Sequence, residues 1–340
     1  MNLITGATGL IGAHVALQLL QRNEPVAAIK RNGSDVLKTK KLFSYYTPDF
    51  ESLFGKLKWV DADISDIYSL LEAFEGVETV YHCAGFVSFD RKDRKQLHKI
   101  NAEGTANVVN ACLEKKGIVL CHVSTIGTLQ NPDITANIDE SVYWKSSPLA
   151  SEYAISKYNA EREVWRGIEE GLEAVIVNPG VVLGPGFWSQ SSGKLISTSY
   201  KGTPFYTNGG SATVDAKDVA HCMIELVKKK EFNKRFILVE DNHSFKTVLS
   251  VIHKALGKKA PTIEAGKGLL YLGKWLDALW CIITGKDKTI TQETVIAALS
   301  RNSFNNSRIK QALHVEFTPL AITADFVGKA FLNDLKNSHA

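Results

Sequence analysis

The sequence predicts an α/β fold: a doubly wound parallel sheet of about seven strands with a smaller, mostly helical C-terminal substrate lobe. Three observations carry this expectation. Over the first 180 residues short apolar runs alternate with longer helical patterns, the order of βαβ units. A glycine-rich turn, TGATGLIG at 5–12, follows the first apolar run. After Pro179 the text changes to Gly, Ser, Pro and aromatic residues as far as about Gly210.

Taken in order, strands are expected at 2–5, 26–30, 57–61, 79–83, 119–123 and 174–178, and a seventh at 236–239. Each is a short apolar run rich in Val, Ile, Leu or aromatics, as strands buried on both faces require. Helices are expected near 10–22, 66–74, 93–114, 151–170 and 215–229, with Gly171 placed to stop the fourth. Residues 1–180 with 213–240 are expected to form the dinucleotide-binding domain, and 181–212 with 241–340 the substrate lobe.

Composition excludes several classes. The chain has 340 residues, 44% apolar and 22% charged, which is globular rather than disordered. Its net charge of +4, with no basic run longer than Lys228-Lys229-Lys230, gives no surface for nucleic acid. The five cysteines are scattered and the nine histidines dispersed, so reduced thiols and no metal are expected. Met1 leads directly into the first strand without a basic start or cleavage site, so no secretory leader is expected, and with the scattered cysteines a cytoplasmic location is the expectation. The apolar stretch 268–284 contains Lys274 and Asp277 and falls short of the ~20 uncharged residues of a bilayer span. It reads as a buried or groove-lining helix, with attachment to a membrane surface as the alternative.

TGATGLIG puts Gly6, Thr8, Gly9, Leu10, Ile11 and Gly12 at the mouth of the first helix. A pyrophosphate needs a tight turn, a close backbone approach and a helix N-terminus with free N–H groups, which this spacing supplies. The fold is therefore expected to be Rossmann-type, binding NAD(H) or NADP(H). The second strand ends in Lys30-Arg31-Asn32, eighteen residues and more beyond Gly12, where an acid would favour NAD. With no carboxylate there, and with the planar fork of Arg31 suited to a 2′-phosphate, NADP(H) is favoured. Asp63 and Ile64 could meet the adenine, or Asp63 could be a helix cap. Ala84 and Gly85 could let backbone approach the cofactor, or form a plain turn.

Tyr153 and Lys157 in YAISK are four apart and so share a helix face, which alone says little. Ser124 and Thr125 close the fifth strand on the sheet edge where the glycine loop lies, the edge at which ligands of parallel sheets gather. With TGATGLIG, HCAG at 82–85, KINAEGT containing Asn101, Ser124-Thr125, YAISK and NPG at 178–180, the chain resembles the extended short-chain dehydrogenase/reductase family.

That resemblance implies an NAD(P)-dependent oxidoreductase in which Tyr153 is the proton donor or acceptor. It further implies that Lys157 binds the nicotinamide ribose and lowers the phenol's pKa, that Thr125 positions the substrate oxygen, and that Asn101, Ser124, Asn178, Pro179 and Gly180 serve the cofactor. Phe86 and Phe187, in aromatic-rich stretches, are expected to line an apolar substrate site together with Thr125. GGSATVDAKDVA at 209–220 lacks the arginine that nucleotide-sugar enzymes of the family carry before this motif. The tail 304–320 looks like that of dihydroflavonol-4-reductase-like proteins, a branch shared with 3β-hydroxysteroid dehydrogenases. A reductase of a hydrophobic ketone or aldehyde is the leading expectation. A nucleotide-sugar epimerase or dehydratase, and a non-catalytic NADP-binding sensor or scaffold, are the alternatives. The small-molecule carbonyl or alcohol is the expected partner, and a homodimer is compatible with the sequence.

Overall fold

The computed structural model describes residues 1–131, 134, 136–190, 192–271, 273 and 291–339, with 338 and 339 described by their backbone only. Seven strands form one parallel sheet: β1 (Asn2–Thr5), β2 (Val26–Lys30), β3 (Lys58–Asp61), β4 (Thr79–His82), β5 (Val119–Val123), β6 (Ala174–Pro179) and, after three strands outside it, β10 (Lys234–Leu238). Their order is β10-β6-β5-β4-β1-β2-β3, every neighbouring pair parallel. The order reverses between β1 and β4, which opens the crevice at the strand ends where such folds take nucleotides.

The helices are α1 (Leu10–Gln21), α2 (Leu37–Ser44), α3 (Phe50–Lys56), α4 (Ile67–Ala73), α5 (Arg94–Leu97), α6 (Gly104–Lys115), α7 (Glu152–Glu169), α8 (Gly193–Lys201), α9 (Ala216–Lys228), α10 (Phe245–Ala255), α11 (Gln292–Leu299), α12 (Ser307–Leu313) and α13 (Leu320–His339). Alternation along the strands divides the core into two layers. Ile4, Ala28, Tyr81, Cys121 and Val175 face the layer closed by Val15, Leu19, Val219 and Met223 of α1 and α9. Leu3, Ala27, Val80, Leu120 and Ile176 face the opposite layer with Leu70, Val108, Val109 and Val164 of α4, α6 and α7.

The continuous helix expected at 93–114 is interrupted. Between α5 and α6, residues His98–Glu103 form a π-helical turn, whose extra residue is accommodated where Asn101 turns inward. The loop-rich segment and the C-terminal part also contain short strands: β7 (Val181–Leu183), β9 (Gly210–Asp215) and β11 (Asp241–Ser244) make a second sheet, and β8 (Phe205–Tyr206) pairs with β12 (Ile263–Glu264). Above this small sheet Leu183, Ile196, Val248, Ile252, Leu320, Val327 and Phe331 bury a separate apolar cluster. Most of the stretch 268–284, at 272 and 274–284, lies outside the described residues, as does Cys281. Among the described residues no helix is long and apolar enough to cross a membrane, and no group of three or more His, Cys, Asp or Glu could hold a metal ion.

Candidate active site

The glycine turn is built by exclusion of side chains. Gly6 has φ +74°, and a Cβ there would lie 2.6 Å from the backbone nitrogen of Ala84; a Cβ on Gly12 would lie 2.4 Å from the carbonyl oxygen of Gly6. The turn closes with Gly9 N donating to Gly6 O at 3.0 Å. Gly9 then caps α1 with no side-chain bond to its first amides, and Thr8, Leu10 and Ile11 stand half-buried around it. Ala84 N in turn donates to Thr5 Oγ1 at 3.2 Å, so the loop after β4 is fastened beside the glycine turn. Such a cradle, free of Cβ atoms and headed by a helix N-terminus, fits a dinucleotide pyrophosphate.

At the far end of the crevice Lys30 and Arg31 separate in role. Lys30 Nζ is paired with Asp61 Oδ1 at 2.6 Å. Arg31 is exposed, and its side chain makes no hydrogen bond or ion pair among the described residues. With Asp63 and Ser34 it lines a cavity of about 540 Å³. Asp63 does not cap α4, since Asp66 does so, accepting from Tyr68 N. Asp63 instead accepts from Ser65 N and Ser65 Oγ, both at 2.8 Å. Burial works the other way, but those two bonds and the Arg31 guanidinium hold its carboxyl below the usual range. Ile64 packs against Gly104, where a Cβ would come within 2.8 Å of it.

Asn101 is committed to protein groups. Its Nδ2 donates to Phe86 O and Ser156 Oγ, both at 2.9 Å, and its Oδ1 accepts from Phe86 N at 2.7 Å. It thereby clamps the loop containing Gly85 and Phe86 to α7. Phe187 is buried with the α1 and α9 core layer, so its ring is a core group and not an exposed wall of the cleft. Phe89 instead stands edge-on to the Tyr153 ring, centroids 5.9 Å apart, and is 42% exposed, which leaves an open apolar face beside the phenol.

Helix α7 begins at Ser151, whose hydroxyl accepts from Ala154 N, and this cap sets Tyr153 in the first turn. One turn later the buried Lys157 donates through Nζ to Val123 O at 2.7 Å and lies 3.4 Å from His122 Nε2. Thr125 Oγ1 accepts from Gly127 N at 3.2 Å, and a Cβ on Gly127 would touch both Thr125 and Ala154. The end of β5 and the start of α7 therefore meet. Asn178 Nδ2 donates to Thr125 O at 3.1 Å and to Thr128 Oγ1 at 2.9 Å. Pro179 closes β6, and Gly180 lies where a Cβ would come within 2.5 Å of Ala212 O.

Burial dominates the electrostatics. It lowers Lys157 to about 8, against the opposing pull of Glu161 and Cys83. It pushes the Tyr153 phenol up to about 12. Within the protein alone the phenol thus moves opposite to the expected direction. His82, held between Thr5 Oγ1 at 2.7 Å and Thr105 Oγ1 at 2.9 Å, is lowered to about 3 by burial and then by Lys157. His122, 5.1 Å from it between ring centroids, is lowered well below its ordinary value by burial, Lys157 and His82. Both rings are neutral at neutral pH.

Sequence reasoning passed over Glu161, His122 and Arg235. Glu161 follows Lys157 by one helical turn, the same spacing that links Lys157 to Tyr153, and that repeat was the available signal.

A parallel doubly wound sheet with a glycine cradle at its switch point and a Tyr-Lys helix docked on the fifth strand defines an NAD(P)-dependent oxidoreductase of the extended short-chain dehydrogenase/reductase type. The chain belongs to the NAD dependent epimerase/dehydratase family, whose model matches residues 2–238. It is 29% identical to cinnamoyl-CoA reductase 1 of Petunia hybrida, across 70% of this chain and 72% of that one. It is 27% identical to dihydroflavonol 4-reductase of Gerbera hybrida across 54% of this chain and 51% of that one. In fold it is similar to yeast methylglyoxal/isovaleraldehyde reductase Gre2 complexed with NADPH, with TM-score 0.75, 19% identity and 99% of each chain covered. Epimerases share the fold, among them UDP-glucose 4-epimerase of Thermus thermophilus in complex with NAD, with TM-score 0.73, 18% identity and coverage of 97% and 98%.

Proposed function

We propose that this chain is an NADP-dependent reductase of a hydrophobic ketone or aldehyde, with Tyr153 as proton donor. The observation that carries the reading is the placement of Tyr153: its ring meets the exposed Phe89 edge-on, while its helix is fastened to the end of β5 by Lys157. A reacting carbonyl would then have an acid at its oxygen and an apolar wall beside its substituent.

Bound NADPH supplies the hydride that reduces the carbonyl carbon. Gly6, Thr8, Gly9, Leu10, Ile11 and Gly12 would hold its pyrophosphate, Arg31 its 2′-phosphate, Asp63 and Ile64 its adenine, and Lys157 its ribose hydroxyls. Ala84, Gly85, Ser124, Asn178, Pro179 and Gly180 would border the nicotinamide end, with Asn101 holding that loop in place. The absence of any side-chain bond on Arg31 among the described residues, beside a Lys30 already paired with Asp61, supports NADP over NAD. Thr125 would hold the substrate oxygen. A phenol raised to about 12 stays protonated at neutral pH, the form that gives a proton to a reduced carbonyl. Residues 181–212 and 241–340 would form the lobe that admits substrate over residues 86–89. The names of the reductase relatives support the same class of substrate.

The test is NADPH oxidation, followed optically, with a panel of apolar aldehydes and ketones beside UDP- and dTDP-sugars. The reading expects absorbance loss with carbonyl compounds and none with sugars. Sugar conversion without net NADPH loss would make the chain an epimerase, and tight NADPH binding with neither reaction would make it a sensor.

A further inference from the structure

One buried carboxylate gathers the polar groups behind this site. Glu161, 2% exposed, accepts at Oε2 from Ser124 Oγ at 2.8 Å, Thr128 Oγ1 at 2.8 Å and Asn178 Nδ2 at 3.1 Å. At Oε1 it accepts from Arg235 Nη1 at 3.0 Å and from Trp165 Nε1 at 3.5 Å. Arg235, on β10, also donates through Nε to Glu140 O at 3.0 Å and through Nη2 to Val142 O at 2.7 Å. The ion pair therefore joins α7 to the edge strand and to the 140–142 segment.

Two consequences follow from donor counting. The hydroxyl of Ser124 has a single proton, and it goes to Glu161, so the oxygen can only accept from anything else. The amide of Asn178 has three acceptors around Nδ2, namely Thr125 O, Thr128 Oγ1 and Glu161 Oε2, which leaves Oδ1 as its free end. That Oδ1 is buried and has no partner among the described residues, a costly arrangement for an acceptor.

We propose that Glu161 is a positioning residue of the reductase site: it takes the hydroxyl proton of Ser124, so that this oxygen at the end of β5 is held as an acceptor beside the cofactor cleft, and it contributes negative charge that offsets Lys157. This rests on the reading of the site given above. The groups that face Lys157 are Val123 O and His122 from β5, His82 and Cys83 from β4 and the loop after it, and Glu161 on its own helix. Both histidines are neutral and burial pushes the Cys83 thiol up to about 12, so Glu161 is the one anion in that set. Its effect on Lys157 is to raise it, against burial.

The test uses the full chain without substrate: competitive acetylation of Lys157 across pH 6–10, read by mass spectrometry, with NADPH affinity by fluorescence titration. Glu161→Gln is expected to lower the Lys157 midpoint by about one unit, so that Lys157 is labelled several-fold faster at pH 7, and to weaken NADPH about tenfold. Glu161→Asp keeps the charge but shortens the reach, so it should leave the midpoint near the wild-type value and still weaken NADPH. A folded Glu161→Gln chain with unchanged midpoint and unchanged affinity overturns the proposal. Should that variant fail to fold because Arg235 is left unpaired, Glu161→Gln with Arg235→Gln removes both charges and carries the same readouts. A wild-type chain that reduces no carbonyl would sink the reductase reading while the Lys157 titration still decides the role of Glu161.

Discussion

Lys157 Nζ reaches Val123 O at 2.7 Å, so helix α7 is tied to the end of β5 by the same ammonium group that would bind the cofactor ribose. A buried ammonium lowered to about 8 is charged at neutral pH and loses its proton in the mildly alkaline range. NADPH affinity should therefore hold steady from about pH 6.5 to 7.5 and weaken above about pH 8, by about tenfold per unit. Fluorescence titration at each pH measures this directly, and an affinity that stays constant to about pH 9.5 would dissociate Lys157 from the ribose.

The Arg31 guanidinium, which makes no hydrogen bond or ion pair among the described residues, predicts which nucleotide suffers from its loss. Arg31→Ala should weaken NADPH by about 10- to 100-fold, the worth of a charge-assisted phosphate contact, and leave NADH nearly unchanged. Parallel titrations of the two nucleotides supply the comparison. Equal losses for both would remove Arg31 from recognition of the 2′-phosphate.

Gly6→Ala meets two obstacles at once, a φ of +74° and a Cβ 2.6 Å from the backbone nitrogen of Ala84. The variant should lose about 1–3 kcal/mol of stability and bind NADPH poorly, since the turn must open to admit the methyl group. Urea unfolding and nucleotide titration measure the two effects. A variant as stable and as tight-binding as the wild type would show that the turn does not hold the pyrophosphate.

Buried imidazoles make the fold acid-sensitive in a stated direction. His14, bonded to Leu10 O and Tyr46 OH, is lowered by burial to about 4, and His82 to about 3. Folded values below the unfolded one mean stability that is present above about pH 6.5 and lost as pH falls toward those values. Between about pH 7.5 and 5.5 each of these two should cost about 1–2 kcal/mol. Asp215 and Asp218, raised by burial, act in the opposite sense, so the comparison with His14→Gln isolates one imidazole. Denaturant melts at both pH values should show a smaller loss in that variant; equal losses would contradict the assignment.

The strands were legible because a sheet covered on both faces demands unbroken apolar text, and β1, β2 and β5 coincide with their expected limits. Helices α2 and α3 were not, since LKTKKLFS and FESLFGK are short and half polar, with no capping side chain to announce them. The small sheet escaped for a different reason: GSATVD and DNHS lack an apolar run, and their pairing exists only once distant segments meet. Asp63 could be a cap in sequence, and only geometry gives that work to Asp66, three residues on. The rise of the Tyr153 phenol reflects depth of burial, a quantity that the spacing of YAISK does not contain.

The central claim is that Tyr153 gives the proton while NADPH reduces an apolar carbonyl. The most direct measurement is NADPH oxidation by the wild type and Tyr153→Phe with the best carbonyl of the panel, alongside NADPH affinity. Turnover is expected to fall by about 10²- to 10⁴-fold in Tyr153→Phe with affinity nearly intact. Equal turnover in the two chains would contradict it.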